Sequence, residues 1–382
     1  MRIGIVTDGP LDPESPRPRT HPESEPEPMD QAMSLRETIG PGDVSAAAAR
    51  IAGRVRPITL AHVEQVAIDA HAASVGHDET GTVGHDETGT VGHDEPGSAG
   101  SFELVLALEL LQHTGTFKAR GAANLAAYHL AAGTMPDAGI VIASGGNAGV
   151  ACAWAARATG TRATVFLPGT APAFKVATLT ALGADVQLVG TEYADALEAS
   201  IEHAERTGAL LSHAYDNPLI AAGAGTLAAE ILAADPRIET IVVAVGGGGL
   251  FAGTAAAVSG TGVSVVAVEP TGCRALHAAI EHGGPVDVSV DSIAADSLGA
   301  RRASQMAYDL AVSSPTASVL VTDEAIASAR RLLWDDHRLV VEPGGATALA
   351  ALLSGAYVPR PGERVAVVLC GANTDPSDLV TR

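Results

Sequence analysis

The chain has 382 residues, 44 acidic against 23 basic side chains for a formal net charge of −21, 47% hydrophobic content and only 3% aromatics. At about 150 residues per domain this is a bilobal globular protein with a sizeable core. The acidic excess argues against a nucleic acid or an anionic membrane as partner.

Taken in chain order, the apolar stretch before Asp8 and Pro10 is too short for a secretion signal, and no later run reaches the about 18 apolar residues that span a bilayer. Residues 9–30 mix seven prolines with Glu and Asp. That composition cannot bury enough apolar surface to offset chain entropy, so a disordered acidic tail is expected over 1–40. An amphipathic helix is predicted over Val44–Ile51, capped by Asp43 and stopped at Gly53. Octapeptides then start at Gly76, Gly84 and, altered, Gly92, each with one His, two acids and almost no apolar residue. A flexible loop inserted over 76–99 follows. His77, His85 and His93 with their carboxylates could hold a divalent cation, but proximity in sequence fixes no ligand geometry, and no metal is expected.

From Phe102 the pattern is α/β. Strands are predicted at Leu104–Leu108, Ile140–Ala143, Ala163–Leu167, Asp185–Val189, Thr240–Val245, Val263–Val268 and Val365–Leu369. Helical stretches rich in Ala and Leu, such as Ala148–Thr159, Ala173–Leu182 and Tyr193–Glu205, separate most of them. Such alternation builds largely parallel sheets with right-handed crossovers, whose ligands sit at the carboxyl ends of strands.

Four segments sit at such ends. Thr116-Phe117-Lys118 offers a lysine that is a nucleophile if its amine is neutral, or else a solvated surface lysine. Ser144-Gly145-Gly146-Asn147-Ala148 joins a strand to a helix and suits an incoming carboxylate, or is only a tight turn. Gly246 to Gly249, followed by Leu250, strips the loop of side chains so that successive N–H groups can wrap a phosphate. A hinge is its plain alternative, and without a GxxxxGK[ST] lysine a nucleoside triphosphate is disfavoured. Cys370, in Cys370-Gly371-Ala372-Asn373, is a small buried hydrophobe or an uncharged hydrogen-bond partner. The three cysteines, Cys152, Cys273 and Cys370, lack metal-ligand spacing and are odd in number, which fits a reducing cytoplasm.

In order and spacing these segments resemble the pyridoxal-phosphate-dependent serine/threonine dehydratase group of the tryptophan synthase β-like family, over about residues 44–380 apart from the repeat. The resemblance implies a two-lobed α/β fold: a large cofactor-binding lobe of residues 41–135 and 216–382, and a smaller lobe over 136–215 that closes on the substrate. It implies that Lys118 is the Schiff-base lysine, Phe117 packs on the cofactor ring, Asn147 partners the ring hydroxyl and Cys370 the ring nitrogen. It assigns the phosphate to Gly246, Gly247, Gly248, Gly249 and Leu250, and the substrate to Thr116, Ser144, Gly145, Gly146 and Ala148. Glu269 matches a carboxylate kept near the cofactor or a cation, but Cys273 and Ala275 replace the partners of that cation site. The chain departs from the group's pattern at Ala107, where a lysine is frequent, at Ala224, where a glutamine is, and in Arg56-Pro57-Ile58-Thr59-Leu60.

The implied reaction is β-elimination from L-threonine or L-serine to 2-oxobutanoate or pyruvate plus ammonia, with Lys118 taking the Cα proton and a neutral Cys370 leaving the cofactor a moderate electron sink. No C-terminal regulatory domain is expected, and a homodimer is left open. Three alternatives stay open. A serine racemase needs a second acid/base on the other face of the substrate, which the serine of racemase relatives supplies at the position of Gly145. A lyase for hydroxyaspartate needs a cation for the second carboxylate, and none is evident near Ser144. A cofactor-binding homologue without turnover would use the tail and repeat for interaction.

Overall fold

The computed structural model describes residues 3–5, 38–66 and 101–380. The expected tail and the octapeptides, with His77, His85 and His93, lie outside the described residues. The chain runs through β1 (Ile3–Ile5), α1 (Pro41–Ile51), β2 (Leu60–Val66), β3 (Phe102–Ala107) and, after two short 3-10 turns, α2 (Lys118–Ala131). A middle stretch alternates β4 (Ile140–Ala143), α3 (Asn147–Thr159), β5 (Ala163–Leu167), α4 (Ala173–Ala181), β6 (Asp185–Leu188), α5 (Tyr193–Thr207) and β7 (Leu210–Leu211). It continues with α6 (Pro218–Ala234), β8 (Thr240–Ala244), α7 (Gly249–Val258), β9 (Ser264–Pro270), α8 (Ala275–His282) and α9 (Ala295–Leu298). The last elements are α10 (Gln305–Ser313), β10 (Thr316–Val321), α11 (Asp323–His337), α12 (Pro343–Leu353), β11 (Arg364–Val368) and α13 (Ser377–Val380).

Two sheets result, one of seven strands in the order β1-β2-β3-β11-β8-β9-β10 and one of four in the order β6-β5-β4-β7. From β3 to β10 the pairings of the larger sheet are parallel, and β1 and β2 join it antiparallel. The smaller sheet is parallel throughout. Strands β4, β5, β8 and β11 are buried along their whole length, which is why they read as unbroken Val, Ile and Ala runs. The larger core is correspondingly aliphatic, with Leu106, Ile241, Val243, Val266 and Val367 at its centre.

The helix predicted to start after Asp43 starts earlier. Pro41 occupies its first turn, and Asp43, already inside the helix, accepts the N–H of Gly40 at 2.8 Å. Proline is favoured there because the first helical N–H groups have no partner to lose. The Arg56–Leu60 segment is pinned by polar groups. Gln112 accepts the Arg56 N–H at 2.9 Å and donates to the Arg56 carbonyl at 2.7 Å, while Glu230 accepts the Ile58 N–H at 2.8 Å. Behind it, Arg120 is wholly buried between Glu109 at 2.6 Å and Glu230 at 2.7 Å. Burial alone would lower the Arg120 pKa; bonds to both carboxylates outweigh it and hold the guanidinium above its ordinary value. Removing Arg120 would strand the buried Glu109 carboxylate, at about 3–5 kcal/mol.

Candidate active site

The loops singled out above leave β3, β4, β8 and β11 at their carboxyl ends and converge on one cleft of about 760 Å³. Phe117, Lys118, Ser144, Gly145, Gly146, Asn147, Ala148, the run Gly246 to Leu250 and Cys370 all line it. Thr116 lies just behind the wall, buried, and its hydroxyl has no partner among the described residues.

Lys118 and Cys370 are held side by side by backbone pairing. The Phe117 N–H donates to the Cys370 carbonyl at 3.1 Å, the Ala372 N–H to the Gly115 carbonyl at 3.0 Å, and Thr116 bridges Gly371. The Lys118 ammonium lies 4.8 Å from the centre of the Phe117 ring and donates to the Ala214 carbonyl at 3.3 Å. Burial pushes its pKa down, against a smaller pull upward from Cys370 and Glu342, the direction in which a lysine gains nucleophilicity. Burial pushes the Cys370 thiol up to about 12, with Glu342 adding to it, which keeps the sulfur uncharged.

The glycine run is closely packed by the protein around it. A Cβ at Gly246 would come within 2.9 Å of the Leu298 Cα, and at Gly249 within 3.0 Å of the Tyr215 Cα. One at Gly247 would enter the Tyr215 ring, and Gly248 has φ +98°. Only glycines build this turn, and α7 starts in it with its first N–H groups free of intrahelical partners. The cradle, a lysine amine whose pKa burial lowers and a neutral thiol in one cleft fit a phosphorylated pyridine aldehyde in donor chemistry and in size.

Asn147 is held by two residues to which the sequence reading gave no role. Its Nδ2 donates to both carboxylate oxygens of Glu342, at 2.9 and 3.0 Å, and its Oδ1 accepts from Asn373 Nδ2 at 2.7 Å. Burial raises the Glu342 pKa, partly offset by the Asn147 hydrogen bond and by Lys118. Asn373 belongs to the Cys370 motif itself, and Glu342 precedes Pro343, a helix-start signature that the sequence displays.

Glu269 does not line the cleft. It lies under α8, where its two oxygens accept the N–H groups of Leu276 at 2.9 Å and His277 at 2.7 Å. Burial pushes its pKa up to about 8 against the pull of those two donors. Among the described residues no cluster of metal-ligating side chains occurs.

The expectation of no cation near Ser144 is corrected by the structure. Lys175, far along the chain on α4, packs its stem 3.7 Å from where a Cβ at Gly145 would sit, and Arg301 and Arg302 also line the cleft. Lys118 and Lys175 are the only lysines in the chain, and both line this cleft. That count was available in the sequence and narrows the candidate amine to two side chains.

Residues 95–371 match the family model described as pyridoxal-phosphate dependent enzyme. The chain is 39% identical over 273 residues to phenylserine dehydratase of Ralstonia pickettii, covering 70% of this chain and 82% of the relative. It is 35% identical over 275 residues to L-threonine ammonia-lyase of Thermotoga maritima, covering 72% and 68%. The structure of maize serine racemase superposes with a TM-score of 0.73 at 26% identity, covering 90% of this chain and 96% of that one.

Proposed function

Since the chain belongs to the pyridoxal-phosphate dependent enzyme family, we propose that it is an ammonia-lyase that eliminates the β-hydroxyl of L-threonine or L-serine, yielding 2-oxobutanoate or pyruvate and ammonia. The observation that carries this reading is the single cleft in which a deprotonation-prone lysine, a neutral thiol and a glycine phosphate cradle meet. Pyridoxal phosphate, attached at Lys118 when bound, would supply the electron sink that acidifies the substrate Cα–H.

The chain's own residues do the rest. The N–H groups of Gly246 to Leu250 would hold the phosphate, and Phe117 would cover one ring face. Cys370, uncharged, would partner the ring nitrogen without protonating it, which would moderate the sink and suit elimination. Asn147, oriented by Glu342 and Asn373, addresses the ring hydroxyl. The loop of Ser144, Gly145, Gly146 and Ala148 receives the substrate carboxylate, with the Thr116 hydroxyl close behind. Lys118 Nζ, which lines the cleft, would take the substrate Cα proton as general base. We assign the lobe that closes on the substrate to residues 136–215.

The racemase reading is not favoured, because Gly145 carries no side chain to return a proton from the far face. The three cysteines, free and buried, accord with a reducing cytoplasm, and among the described residues no helix is long and apolar enough to cross a membrane. The test is a purified protein with a visible cofactor absorption, assayed for keto-acid release from L-threonine, L-serine and 3-phenylserine, the last because of the 39% identical relative. Bound cofactor with no keto acid from any of the three would overturn the reading.

A further inference from the structure

Lys175 and Asp296 face each other across the cleft. Nζ of Lys175, on α4, lies 2.6 Å from Oδ1 of Asp296, on α9. Among the described residues this is the one ion pair that ties the 136–215 stretch to the rest of the chain. Each partner also touches a loop assigned to ligand. The Lys175 stem packs against Gly145, and the Asp296 carbonyl oxygen lies 3.8 Å from the Cβ position of Gly146. Two residues further along α9, the Leu298 backbone packs on Gly246 of the phosphate cradle so closely that a Cβ there would come within 2.9 Å of the Leu298 Cα. The helix α9 is therefore wedged between the two loops, and Lys175 is the charge that fastens it to the far wall.

We propose that Lys175 and Asp296 form a charge latch that holds the 144–148 loop against the glycine cradle, making both of them positioning residues for the amino-acid substrate. The inference rests on the elimination reading for its substrate. The choice of side chain supports it. The chain uses arginine at every basic position except 118 and 175. A planar guanidinium demands a wide bidentate partner, whereas a compact ammonium on a flexible stem fits the single Asp296 oxygen beside a glycine. Asp296 is 71% exposed and Lys175 22%, so the latch is weak, and a pair of this kind changes an equilibrium by about two- to five-fold.

The test compares the holoenzyme with Lys175→Met, Asp296→Asn and the charge-swapped double variant Lys175→Asp/Asp296→Lys. Each single variant should raise KM for L-threonine about two- to five-fold while kcat changes by less than about two-fold, and the swap should bring KM back toward the parent. Raising KCl should raise the parental KM and leave the single variants unmoved. Amide hydrogen exchange of residues 144–149 should quicken in both singles and slow again in the swap. Unchanged KM and exchange in the singles would overturn the latch, as would a swap no better than the singles, which would mean that Lys175 touches the substrate directly. A parent that releases no keto acid would defeat the elimination reading alone. The exchange comparison, which needs no turnover, would still decide the latch.

Discussion

The Phe117 N–H donates to the Cys370 carbonyl at 3.1 Å, so the start of α2 is tied to the segment just after β11 and the amine and the thiol are carried as one unit. Lys118→Ala should leave this backbone pairing and the fold intact while removing both covalent attachment and the base. Loss of a general base alone costs about 10²–10⁴-fold, so turnover should fall at least that far and the visible absorption should vanish. Absorption spectra and keto-acid assays of the variant check both.

Under the proposed function, elimination over racemisation turns on Gly145. The parent should release keto acid from L-serine much faster than it forms D-serine, as read by chiral chromatography. A Cβ at Gly145 would come 2.7 Å from Leu167 Cδ2, the movable end of a flexible side chain. Gly145→Ser paired with Leu167→Val is therefore the variant that admits the hydroxyl, and it should gain measurable D-serine. D-serine formed by the parent as fast as pyruvate would refute the account.

Glu269 separates a structural role from a cofactor role. Burial pushes its pKa up to about 8 from the ordinary carboxylate value of 4.5, so between these limits the folded state binds more protons than the unfolded state. Stability carried by this group is therefore present below about pH 4.5 and lost as pH rises toward about 8, with a slope of at most ~1.4 kcal/mol per pH unit. Glu269→Gln should flatten that slope in chemical unfolding between pH 5 and about 8.5, and cofactor content should be unchanged because Glu269 does not line the cleft. Loss of cofactor in this variant would contradict its placement under α8.

How much of this the sequence displayed depends on where each residue's environment comes from. Strands β4, β8 and β11 are legible because burial along their whole length leaves an unbroken apolar run. Strand β10, at the edge of the sheet and half-exposed, mixes Thr316, Ser318 and Val319 and carries no such signal. Lys118, Asn147 and Cys370, which line one cleft, are legible because each sits in a motif at a strand end. Glu342 and Asp296 are not, because tertiary packing alone brings them to the cleft from separate elements, and Glu269 was assigned by resemblance to a place that its contacts do not support.

Val66 and Phe102, which flank the stretch that contains the octapeptides, are cross-strand partners on β2 and β3. Deleting residues 76–99 shortens this connection without touching either strand. Loop-closure entropy changes by only about 0.6 kcal/mol per doubling of length, so melting temperature and cofactor content should stay close to the parent. A fall in cofactor content would show that the repeats support the active-site wall. Cation binding that disappears on replacing His77, His85 and His93 would show a metal role instead.

The most direct test of the central claim is to reduce the holoenzyme with borohydride, digest it and locate the pyridoxyl group by mass spectrometry. With only two lysines in the chain the assignment is unambiguous. The account predicts the label on Lys118 in the parent and none in Lys118→Ala; a label on Lys175, or no label in a protein that still releases keto acid, would contradict it.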